Sequence, residues 1–220
     1  DYAPRFTIAN APVQMQEYLL RLFAGGYNTL YDSATSWIEP TDQALFDAVD
    51  ALEENNVTVT DKEFIDFFNA WVLSICDMST AIGHTISDTI RLKVRPNYGG
   101  YGLDKDWGFS KTIREIMEWH DGNETETAWK RVLKEEFLDS AQPDNGKLYI
   151  DLSRVKPRFD TSHIWYKCEQ CSELTPFTLK GKCPSCGSSH IHEMKSGEYE
   201  ALGFWRKPVA DALQGEPIRV

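Results

Sequence analysis
The sequence predicts an α+β chain, a mainly α helical bundle followed by a small C-terminal β zinc ribbon. Three observations carry that expectation. Residues 1–146 repeat apolar side chains at helical spacing between cap and stop signals. The charge balance changes near residue 146. The last third holds two Cys-x-x-Cys pairs among short strand-like runs.

Of the 220 residues, 41% are hydrophobic and 12% aromatic, which supplies a core and excludes a wholly disordered chain. A formal net charge of −11 is wrong for a chain that binds phosphate backbones over its whole surface. No apolar run approaches the roughly 18 residues of a membrane span, and no membrane partner is expected. The chain opens at Asp1 without a charged stretch leading into an apolar one. No export signal is read there, and the cytoplasm is the expected location. Pro217-Ile218-Arg219-Val220 reads as the start of a strand, and the whole as a piece of a longer protein.

Residues 1–146 carry 12 Lys and Arg against 25 Asp and Glu, whereas residues 147–220 carry 11 against 9. The change falls on the turn sequence Pro143-Asp144-Asn145-Gly146, which places a domain boundary there. The expected units are an acidic helical bundle over 1–146, the ribbon with a leading strand over 147–195, and a helical segment running into a truncated strand over 196–220.

Within the bundle, Asn10-Ala11-Pro12 starts a helix whose apolar residues are Val13, Met15, Tyr18, Leu19, Leu22 and Phe23, and Gly25-Gly26 stops it. Pro40-Thr41-Asp42 opens a second, with Ala44, Leu45, Ala48, Val49 and Leu52 on one face. Thr60-Asp61-Lys62-Glu63 is a capping box. The run behind it, from Phe64 to Met78, is apolar nearly all round and belongs at the centre, with a continuation, broken near Gly83, towards Val94. Residues 95–109 alternate Gly with aromatics; the rings either stack on a nucleic acid or partner, or plug the chain's own core, and the second reading is taken. Two further helices carry Ile113, Ile116, Met117 and Trp119, and then Ala128, Trp129, Val132, Leu133 and Phe137 behind an Asn123 cap.

Cys168-x-x-Cys171 and Cys183-x-x-Cys186 are the strongest signal in the chain. Two knuckles at this separation suit one tetrahedral zinc ion, each bending the chain so that two thiolates face one point. Strand-like runs flank them at 163–166, 176–179 and 190–194. Disulfides fit poorly, because no export signal is read and the cysteine total of 5 is odd. A thiol redox site uses one pair at a helix start, and an iron–sulfur cluster is a lesser rival. Four thiolates close a zinc site, so the metal is structural rather than hydrolytic. His190 and His192 are read as ordinary ribbon side chains, and Cys76 as a small buried hydrophobe.

No phosphate-binding loop, dinucleotide fingerprint, nucleophile elbow or His-Glu-x-x-His pair is present, so no catalytic residue is assigned. Ser33-Ala34-Thr35 matches a three-letter helicase signature but lacks a preceding core strand and is not taken as one. Arg154, Lys156, Arg158 and Lys167 interleave with Phe159, Trp165 and Tyr166, a pattern suited to a phosphate backbone with bases stacked nearby. DNA is the partner this suggests.

The order Ile150-Asp151-Leu152-Ser153, Arg158-Phe159, Trp165-Tyr166-Lys167-Cys168-Glu169-Gln170-Cys171, Cys183-Pro184-Ser185-Cys186-Gly187 and Trp205-Arg206-Lys207-Pro208 resembles a region of large DEAD/DEAH-box (superfamily 2) helicases, including members found in bacterial anti-phage defence. In that family a helical insertion and a four-cysteine ribbon precede the second RecA-like motor domain. The resemblance covers the last third. It implies a parent that uses ATP to move along or unwind DNA, with Cys168, Cys171, Cys183 and Cys186 as structural zinc ligands. The partners it implies are motor domains of the same parent chain or of another subunit. The expected function is a non-catalytic accessory module of such an ATPase. The alternative is a zinc-stabilised adaptor whose acidic surface docks a basic protein.

Overall fold
A computed structural model describes residues 12–24, 29, 31–96, 101–141 and 144–215. Helix α3 (Asp61–Met78) is its axis. Thr60 starts that helix reciprocally: its hydroxyl oxygen accepts from the Glu63 N–H at 3.2 Å, and the Glu63 carboxylate accepts from the Thr60 N–H at 2.8 Å. Phe64, Phe67, Phe68 and Trp71 then recur at helical spacing and are buried. They meet Trp129 and Phe137 of α6 (Glu124–Phe137), with the Phe67 and Trp129 ring centres 4.1 Å apart and those of Phe68 and Phe137 4.8 Å apart.

Trp107 and Phe109 fill the other side of this cluster, 5.6 Å from Trp71 and 5.4 Å from Phe67. These rings of the Gly/aromatic loop therefore plug the core and offer no stacking platform. Residues 97–100 of that loop lie outside the described residues. Helix α5 (Lys111–Met117) packs Ile113 and Ile116 inward, and Glu118 ends it in the left-handed region. Helix α2 (Asp42–Glu54), capped by Thr41, lies against α6 and buries Ala44, Ala48 and Leu52.

Two helical expectations gain detail. Helix α1 (Val13–Phe23) buries Gln16, Leu20 and Phe23 and leaves Val13, Met15, Tyr18 and Leu22 exposed. Its apolar residues lie all round, so periodicity alone could not select the buried side. Helix α3 itself stops ahead of the break expected near Gly83, which spans residues 79–87. Ser79 closes the helix by donating to the Ile75 carbonyl at 3.0 Å, and a separate helix α4 (Asp88–Val94) follows an irregular link.

Strand β1 (Ser36–Pro40) pairs antiparallel with β5 (Val155–Phe159), placing Ile38 opposite Pro157. Strands β2 (Leu103–Asp104) and β3 (Leu138–Ser140) flank β4 (Lys147–Ile150). Leu148, Tyr149 and Ile150 are all buried, because β4 is central in its sheet and is also gripped by the 79–87 link. There the Ile150 N–H donates to Ala81 and its carbonyl accepts from Gly83, both at 2.8 Å. Buried Arg91 fixes the link by donating to the carbonyls of Thr80, Ile82 and Gly83, with its guanidinium 4.2 Å from the Tyr149 ring centre. Thus β4 and β5, just past residue 146, pair with strands from the helical region and not with the strands around the cysteines.

The third sheet is β6 (Tyr166–Cys168) between β7 (Leu174–Thr175) and β8 (Ile191–Glu193). The expected middle strand over 176–179 is displaced: pairing stops at Thr175, and only Leu179 bridges again, to Lys182. Helices α7 (Ser196–Ala201) and α8 (Gly203–Gln214, with Pro208 inside) make up the helical segment expected after residue 195. The expected terminal strand falls in 216–220, outside the described residues. Among the described residues no helix is long and apolar enough to cross a membrane.

Candidate metal centre
The two Cys-x-x-Cys turns bring four sulfurs together. The Sγ atoms of Cys168, Cys171, Cys183 and Cys186 all lie within 4.8 Å of one another. Cys168 and Cys186 are 3.6 Å apart, as are Cys171 and Cys183. A disulfide needs about 2.05 Å, so these are free thiols. Tetrahedral thiolates at the usual zinc distance stand about 3.8 Å apart, close to the observed spacing.

The knuckles are built alike. Ser172 donates its N–H to the Cys168 carbonyl at 3.0 Å, and Gly187 donates to the Cys183 carbonyl at 2.8 Å. Both residues are left-handed, with φ of +64° and +75°. Glycine adopts this conformation without strain, whereas Ser172 carries a Cβ. Burial pushes the Cys168 thiol up, but the backbone N–H groups of Cys171 and Gln170 and the neighbouring sulfurs outweigh it, bringing it down to about 7. Desolvation pushes Cys171 up to about 11 and raises Cys183 as well. Four thiols this close cannot all ionise without a cation among them. A divalent ion that replaces their protons resolves the conflict.

The cluster is tied into the helical body. Trp165, just before β6, is fully buried and meets Trp37 and Tyr31 edge-on at 6.0 and 6.2 Å. Its N–H donates to the Tyr199 hydroxyl at 2.8 Å, and its carbonyl accepts from Met194 at 2.8 Å. The second knuckle rests on α5, where Thr112 Oγ1 donates to the Ser185 carbonyl at 3.4 Å. Arg206 of α8 donates to the carbonyls of Ala34 and Thr161. Thr112 and Ser172 were not singled out in the sequence. The first lies 73 residues from its partner. The second could have been found by aligning one knuckle on the other.

His190 and His192 stay outside the sulfur cluster. His190 is exposed. His192 lies 3.0 Å from Glu198 and 3.5 Å from Glu169. Cys76 is buried in α3. The four basic residues fall into two groups. Arg154 is bound to Asp47, at 2.9 Å, and to Glu136; Lys156 contacts Asp42 at 2.6 Å and Lys167 contacts Glu198 at 3.4 Å. Arg158 is exposed and makes no ion pair among the described residues. Three lie on or beside β5, whereas Lys167 lies in the third sheet.

Fold and site together define an α+β chain with a four-cysteine cluster able to hold one metal ion, set against a helical body. No protein-family model and no solved structure matches the chain. Among curated proteins it is similar to Druantia protein DruE of Escherichia coli (strain UMEA 4076-1), with 23% identity over 218 residues. The match covers 94% of this chain but only 11% of that protein, so the chain spans about a tenth of the length of its relative.

Proposed function
We propose that Cys168, Cys171, Cys183 and Cys186 hold one structural zinc ion, and that the chain is an accessory module of a nucleic-acid-processing ATPase of the defence-associated helicase kind. The convergence of four free sulfurs within 4.8 Å carries the metal assignment. Thiolate-only ligation favours zinc and leaves no open position for water. The zinc supplies cross-linking, not chemistry. The ligand cysteines clamp β6 to the second knuckle, and Trp165 passes that rigidity to the body. Similarity to a Druantia protein, along with the element order quoted above, supports the wider role. ATP acts in the parent, in motor domains beside this module.

Arg158 leads the DNA contact in this reading, because it spends its charge on no carboxylate among the described residues. Lys156 and Lys167 follow, each exchanging its carboxylate for a phosphate, and Arg154 comes last. Fluorescence anisotropy with single-stranded and branched DNA tests this. Weak binding is expected, falling as salt rises, with Arg158→Ala reducing the salt slope by about 1. Binding that survives neutralisation of Arg154, Lys156, Arg158 and Lys167 together contradicts the reading.

A further inference from the structure
An apolar groove of about 290 Å³ opens between α1 and the β1–β5 pair. Met15, Leu19 and Phe23 form one wall; Ile38, Val155 and Pro157 form the other. Met15 is 59% exposed at the rim. Phe159, two residues beyond Pro157 on the same strand face, is 45% exposed and extends the apolar surface.

Leu152 also lines the groove, and it sits in a tight turn in which Arg154 donates its N–H to the Asp151 carbonyl at 3.1 Å. Asp151 and Arg154 of the same turn line a second hollow, of about 370 Å³, with Asp47, Glu135, Glu136 and Asp139. Five carboxylates there face one guanidinium, which Asp47 and Glu136 already hold. An apolar trough and an acidic cleft thus share one turn. Such a surface is complementary to a helix with one apolar and one cationic face. A strand is the poorer occupant. The Arg154 carbonyl accepts from Thr41 and the Asp160 N–H donates to Thr35, at the two ends of β1, so by alternation Pro157 faces the free edge of β5, where it offers no N–H.

We propose that this composite surface docks a basic amphipathic helix of a partner protein, its apolar side chains filling the groove and its Lys or Arg side chains entering the acidic cleft. The excess acid of residues 1–146 draws such a partner in. This inference does not rest on the DNA reading, which needs another ligand and is led by Arg158; the two share only Arg154, which Asp47 and Glu136 hold inside the cleft.

The test is fluorescence anisotropy with a labelled Leu–Lys amphipathic peptide of about 14 residues, four helical turns. A Leu–Glu peptide of the same pattern and a Ser–Lys peptide of the same charge serve as controls. Only the Leu–Lys peptide is expected to bind, and more weakly at high salt. Met15→Asp, and separately Glu135→Lys with Asp139→Lys, are expected to weaken it roughly tenfold. All three positions are exposed, so the variants keep the fold, and near-ultraviolet circular dichroism checks that they do. Equal binding of the Ser–Lys peptide, or unchanged affinity in Met15→Asp, overturns the proposal. So does a dimer that Met15→Asp dissolves, which assigns the groove to a second copy. Tighter binding after removal of residues 1–11 assigns it to the chain's own segment and overturns it equally.

Discussion
Arg91 is the side chain on which most of the local geometry turns. It is fully buried, and burial pushes its guanidinium down to about 10, still charged at neutral pH. Among the described residues no carboxylate is within hydrogen-bonding distance; Asp88 is 3.9 Å away. Three backbone carbonyls and the Tyr149 ring carry the charge instead. Arg91→Ala leaves those carbonyls unpaired and opens a void, so urea denaturation is expected to show a loss of about 3–4 kcal/mol. Ser172 makes the opposite case. Its left-handed backbone is strained for a residue with a Cβ, and Ser172→Gly is expected to stabilise the metal-loaded protein by about 1 kcal/mol. A thermal midpoint that fails to rise in the glycine variant places the strain elsewhere.

At the scale of elements, local signals were legible and distant pairings were not. The caps at Thr41, Thr60 and Asn123 all accept the expected N–H, because an N-cap involves only residues three apart. Thr60→Ala is expected to cost about 1 kcal/mol in the same denaturation assay. The cysteine spacing was legible for the same reason. The β1–β5 pair joins segments more than a hundred residues apart, and nothing in either segment names the other. The buried side of α1 was illegible because its neighbours choose it. Helix α7 adds a pH dependence. The Lys195 N–H, and then His192, hold the Glu198 carboxylate at about 2, well below its usual range. A depressed carboxylate stabilises above its ordinary pKa and loses that contribution as pH falls through the folded value. The start of α7 is therefore expected to loosen between about pH 4.5 and pH 2, followed by the Lys195 amide resonance. In Glu198→Gln that transition is expected to vanish.

For the whole molecule, the helical region and the four-cysteine sheet are joined by direct side-chain contacts. Trp165, Thr112 and Arg206 each tie the C-terminal third to elements before residue 146. Charge marked a change of composition at residue 146, while β4 and β5 carry backbone pairing across it. In the zinc reading proposed above, these contacts are the route from the sulfurs to the aromatic core. Metal analysis of the purified chain, combined with alkylation of its thiols, tests this account most directly. One zinc per chain is expected, with four thiols protected until a chelator removes the metal and the tryptophan near-ultraviolet signal collapses; Cys183→Ser is expected to abolish both. A metal-free chain that keeps that signal while all four thiols alkylate freely would contradict it.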